Sequence, residues 1–118
     1  PWLNYASAES VPSTYLDPLF SRIGSKPVAI TETGWPGDNP RGFNPPWETS
    51  ETAQAAYLSK LYNVLKNKNV KLVNWLFLYP MADPGGSPTA WKEFGSISIK
   101  NDLGNKRAVY DLWSSFSL

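Results

Sequence analysis

The run Val28-Ala-Ile-Thr-Glu-Thr33, broken at once by Gly34-Trp-Pro-Gly37, does most to constrain the fold of this chain. A short apolar and β-branched stretch closed by Gly and Pro predicts a buried strand over Val28–Thr33. Such a strand delivers one carboxylate, Glu32, at its C-terminal end, with Trp35 just beyond it. Barrel enzymes built from alternating strands and helices hold their catalytic groups at that rim.

The elements around this strand follow from capping and periodicity. Asp17-Pro18 reads as an N-cap with proline at the first helical position. Leu19, Phe20 and Ile23 then share a face, and Gly24 ends a short helix. A second helix is predicted from near Ser50 to about Lys68, with Tyr57, Leu58, Leu61, Val64 and Leu65 as its apolar stripe. Val70 to Tyr79 is apolar on both parities apart from Lys71 and Asn74, the pattern of a parallel strand covered on both faces. A last helix, about Lys106 to Phe116, is expected to bury Ala108, Val109, Leu112, Trp113 and Phe116. The order helix, strand, helix, strand, helix defines an alternating α/β chain.

Links from helix to strand are short, and links from strand to helix are long: Gly34 to Thr49, and Pro80 to about Asn105. Long connections in small domains are usually functional. Both leave the C-terminal ends of strands, so both are expected over one rim. They carry Trp35, Phe43, Trp47, Trp91 and Phe94. A small hairpin is expected at Gly95–Lys100, with Asn101-Asp-Leu-Gly104 as its turn. Two parallel strands are too few for a closed core, because they leave apolar edges without partners. The expectation is a partial (βα)8 TIM barrel: about two parallel strands and two to three helices in a single domain over 1–118, completed by self-association. Four copies would supply eight strands, so a tetramer is the geometric expectation.

Composition removes several functions. The chain has 118 residues and a net charge of +1, and its basic residues are scattered rather than clustered as in a nucleic-acid binder. It has no cysteine, hence no disulfide or thiolate metal site. It has no histidine, which removes the usual general base, the usual zinc ligand and any serine–histidine triad. No apolar run approaches the roughly 20 residues needed to span a bilayer. Asp83-Pro-Gly-Gly86 lacks the Lys-Ser/Thr and helix context of a phosphate loop, and no cofactor is expected. The start, Pro1-Trp2, has neither an initiator Met nor a signal-peptide pattern, so the chain is expected to be processed, truncated or excerpted.

At Thr31-Glu-Thr-Gly-Trp-Pro36 the sequence resembles the clan A glycoside hydrolases, retaining β-glycosidases on an eight-stranded (βα) barrel. It is most similar to the endo-β-1,3-glucanase (laminarinase) family, whose seventh strand ends in Glu-x-Gly-Trp-Pro. Pro1-Trp-Leu-Asn-Tyr5 looks like the tail of that family's strand-six motif. Glu93-Phe-Gly95 and Asn105-Lys-Arg-Ala-Val-Tyr-Asp-Leu-Trp113 are similar to its closing segment. The resemblance spans essentially the whole chain, as the last third of such an enzyme. It implies that Glu32 is the nucleophile, that Tyr5 supports it and that Trp35 borders the sugar site. It also makes Leu72–Tyr79 strand eight, with Trp75 a candidate stacking platform. A β-glucan-like carbohydrate partner and an extracellular setting come with it. The family's acidic pair after strand eight is not reproduced; Met81-Ala-Asp83 stands nearby.

Retaining hydrolysis needs two carboxyl groups about 5–5.5 Å apart. In the clan the acid/base is on strand four, which this chain lacks. Glu9, Asp17, Glu48, Glu51 and Asp111 read as helix-terminal or solvent charges. Asp38, Asp83 and Glu93 fall in the predicted rim loops, where turn roles compete with catalysis. For Trp35, Trp75 and Trp91, sugar stacking and plain packing both fit a flat apolar ring with a polar handle. Trp2 admits either role, whereas Trp113 lies on the apolar face of the last helix and reads as core. The expected activity is therefore that of a fragment with a nucleophile and no acid/base. The alternatives are a self-assembling structural module or a sugar-binding remnant.

Overall fold

A computed structural model describes residues 5–39, 45–82 and 94–118. The order of elements is α1 (Asp17–Ile23), β1 (Val28–Thr33), α2 (Glu51–Leu65), β2 (Val70–Trp75) and α3 (Val109–Ser114).

α2 forms where the sequence places it. Ser50 is extended at the N-cap, and its Oγ accepts the Ala53 N–H at 3.0 Å. Leu58, Leu61 and Leu65 turn inward, while Tyr57 and Val64 flank them half-buried. The helix stops at Leu65 rather than Lys68. α1 begins one residue earlier than expected: Leu16 is its N-cap, without a side-chain bond, and Asp17 is already helical. Asp17 still complements the helix dipole, and it pairs with Lys68 at 3.4 Å. Gly24 closes α1 at φ 61°, a positive value that glycine adopts without steric penalty.

The two strands are parallel neighbours, with Val28 opposite Val70, Ile30 opposite Val73 and Thr33 opposite Trp75. The register shifts between Val28 and Ala29 and again between Ile30 and Thr33. These shifts correct one expectation. Val28, Ile30, Val70 and Val73 pack towards the helices, but Ala29 and Leu72 face outward, Leu72 being 53% exposed. The apolar residues on both parities of β2 thus reflect an irregular register on a sheet that, among the described residues, is covered by helices on one side. β2 is also shorter than expected, because β1 ends at Thr33. The chain beyond Trp75 pairs elsewhere: the Phe77 and Leu78 carbonyls accept the Ile99 and Lys100 N–H groups at 2.9 and 3.1 Å.

The expected turn at 101–104 is present, with Gly104 at φ 78° and Asn101 Oδ1 accepting from the Leu103 and Asn105 N–H groups. The hairpin is reduced to one antiparallel bridge, Lys100 with Lys106. The Arg107 N–H donates to the Ile99 carbonyl at 3.0 Å, which holds this segment against 99–100 and delays α3 to Val109. Ala108 and Leu112 are consequently exposed, against expectation, while Val109 is fully buried. The core has two parts. Leu61, Leu65 and Val70 pack near the start of the strands, and Trp35, Leu58, Trp75, Ile99 and Val109 belong to a cluster towards and beyond their ends. Together these describe an α/β domain with two parallel strands and several helices.

Candidate functional site

β1 has β2 on one edge and no strand on the other among the described residues. A cavity of about 350 Å³ adjoins β1 and has no β2 residue in its lining, so it lies towards that free edge. Its size is at the lower end of the usual ligand-site range. Tyr5, Tyr15 and Leu16 wall it on one side, Tyr57 and Leu61 of α2 on another, and β1 contributes Glu32 and Thr33. Glu32 is exposed, and its carboxylate has no ion-pair or hydrogen-bond partner among the described residues. The structure therefore brings Glu32 and Tyr5 to one cavity. Tyr5 meets Tyr15 edge to face, with ring centroids 5.9 Å apart.

Tyr57 separates this cavity from the core. Its hydroxyl and Thr33 Oγ1 are hydrogen-bonded at 2.9 Å, and its ring lies 5.2 Å from that of Trp35 and 6.1 Å from that of Trp75. Burial pushes the Tyr57 phenol above its ordinary value; the Thr33 bond partly offsets this, and Tyr15 adds to it. Tyr15 is raised as well, first by burial and then by Tyr5. Both phenols stay protonated at neutral pH. The sequence pattern singles out neither Tyr57 nor Tyr15 as a site residue. Tyr57 reads there as part of an apolar stripe, and a hydroxyl within that stripe is the one signal that could have found it.

The tryptophans fall differently. Trp35 is 0% exposed, and its Nε1 donates to the Glu48 carbonyl at 2.9 Å. Trp75 is 6% exposed, and its Nε1 donates to the Ile97 carbonyl at 2.8 Å. Each ring is walled in and each N–H satisfied, so neither offers a face to a sugar. Packing, not stacking on a ligand, accounts for both. Trp91, Trp2, Phe43, Asp83 and Glu93 lie outside the described residues.

The two long loops do meet beyond the strand ends, where the Gly37 N–H donates to the Ser96 carbonyl at 2.8 Å. A buried cation ties this junction. Arg107, 5% exposed, holds Asp38 at 2.6 Å and approaches Glu51 at 3.9 Å. Gln54 Nε2 donates to the Ile97 and Ser98 carbonyls, both at 3.1 Å. Asp38 is thereby a structural anchor. Glu32 is the only carboxylate lining the cavity among the described residues. No helix among them is long and apolar enough to cross a membrane, and no group of His, Asp or Glu side chains among them is placed to hold a metal ion. Comparison of the chain with protein-family models, with curated proteins and with solved structures finds no match.

Proposed function

We propose that this chain is a C-terminal portion of a retaining β-glycoside hydrolase of the endo-β-1,3-glucanase type, and so part of a (βα)8 barrel. Glu32 occupies the nucleophile position, and the chain alone is a very poor enzyme or none. The observation that carries this reading is the placement of Glu32. Its carboxylate stands near the C-terminal end of a parallel strand, opens onto a cavity and has no partner among the described residues. The sequence resemblance at Thr31–Pro36 supplies the chemistry. No second carboxylate lines the cavity among the described residues, so none of them is placed to protonate a departing oxygen. General acid–base help is typically worth about 10²–10⁴-fold, and its loss alone leaves turnover feeble.

A 2,4-dinitrophenyl β-glucoside tests this, because its leaving group needs little protonation. The expected result is slow covalent labelling of Glu32, seen by mass spectrometry and absent in Glu32→Gln. Hydrolysis of unactivated β-glucan at ordinary enzyme rates, abolished by Glu32→Gln, would overturn the inactive-fragment reading. A second reading, a self-assembling structural module, is favoured by the bare face of the sheet and by its free edges among the described residues. The burial of Trp35 and Trp75 counts against a sugar-binding remnant built on those rings.

A further inference from the structure

We infer that a bulge in β1 aims Glu32, and that Asn74 is the positioning residue that holds the bulge. Ile30 stands opposite Val73 and Thr33 opposite Trp75, so two residues of β1, Thr31 and Glu32, meet only Asn74 on β2. Two residues against one define a β-bulge, a device rare between parallel strands that re-aims a side chain. Its effect here is a change of phase. Side chains alternate along a regular strand, which would set Glu32 on the side of Val28 and Ile30, among the residues that pack towards the helices. Instead Thr31 and Glu32 are exposed in succession, and Thr33 turns inward to share a hydrogen bond with the Tyr57 hydroxyl at 2.9 Å. A carboxylate without a partner is costly to bury. The extra residue keeps Glu32 on the open side.

A bulge interrupts the ladder, and a side chain supplies a bond at the gap. Asn74 Nδ2 donates to the Thr31 carbonyl at 3.2 Å, and just beyond it the Leu76 N–H donates to the Thr33 carbonyl at 2.9 Å. Glu32 is thus bracketed, with Thr31 tied to Asn74 and Thr33 tied to Leu76 and Tyr57. The Glu32 carboxylate has no partner of its own among the described residues, so its backbone sets where it points. A nucleophile must be held within a few tenths of an ångström of its line of attack, and loss of that aim is expensive in rate. The catalytic value of the bracket rests on reading Glu32 as the nucleophile, whereas the bulge exists whatever Glu32 does.

Asn74→Leu in the 118-residue chain tests the role, with Asn74→Ala repeating it through a smaller side chain. Asn74 is exposed, so neither change opens the core, and circular dichroism checks that each variant is folded. Amide hydrogen exchange followed by NMR reads the bulge without any sugar chemistry. The Leu76 amide, which bonds the Thr33 carbonyl, should exchange about fivefold faster, while the Leu58 and Leu61 amides of α2 stay unchanged. Covalent labelling of Glu32 by the 2,4-dinitrophenyl β-glucoside reads the aim. Its rate at saturation should fall about tenfold with the half-saturating concentration unchanged. Unchanged exchange at Leu76 overturns Asn74 as the holder of the bulge. Faster exchange with an unchanged labelling rate overturns its part in aiming Glu32. A wild-type chain never labelled at Glu32 overturns the glycosidase reading instead, and the exchange rates still decide whether Asn74 holds the bulge.

Discussion

Glu32 and Trp35 lie on one short run of chain and meet opposite environments. Glu32 lines an open cavity with no partner among the described residues, while Trp35 is sealed between Tyr57 and the Glu48 carbonyl. The register shift after Ile30 and the break at Gly34 separate them. The packed side of this junction carries stability, and the open side carries whatever chemistry or association the chain has. A residue's nearness to a candidate site in sequence does not place it in that site.

The sharpest way to break this comparison is Trp35→Ala. Removing a fully buried indole costs about 3–5 kcal/mol, a large share of the roughly 5–15 kcal/mol that holds a domain folded. Urea denaturation measures it, and a loss below about 1 kcal/mol would show that the ring is not core. Gly37→Ala comes next. A Cβ there would lie 2.8 Å from Gln54 Oε1 and 3.1 Å from Arg107 Nη1. Overpacking of this kind costs about 1–3 kcal/mol, and an unchanged urea midpoint would refute the close approach.

Tyr57→Phe probes the wall between the two regions. Loss of the Thr33 bond costs about 0.5–1.5 kcal/mol at neutral pH. The raised Tyr57 pKa also has a sign. Below the ordinary phenol value of 10.0 both folded and unfolded chains hold the proton, and stability is intact. Above it the unfolded chain ionises first, so stability falls as pH rises. Urea midpoints followed from neutral pH to beyond the phenol range should fall less steeply in the Phe variant, with Tyr15 and Lys100, whose pKa values are also raised, contributing to the remaining slope. The smallest effect is expected for Glu32→Gln, within about 0.5 kcal/mol, as for most exposed sites. A larger loss would mean that Glu32 has a structural partner.

Local chemistry by itself determined a good deal. Val28–Thr33 was legible as a strand because β-branched residues end at a Gly-Pro break, although it is half-buried or exposed throughout rather than buried as expected. α2 was legible because Ser50 caps a regular apolar stripe, and the 101–104 turn because Asn and Gly bracket it. Only the tertiary structure decided where β2 stops, since its ladder ends when β1 does. The same holds for the start of α3, which waits until Arg107 has bonded Ile99. The junction of Arg107 with Asp38 joins residues far apart in sequence, and no spacing announces it. Trp35 and Trp75 were open to either role for the same reason: a ring's chemistry is local, but whether it meets solvent depends on what packs over it.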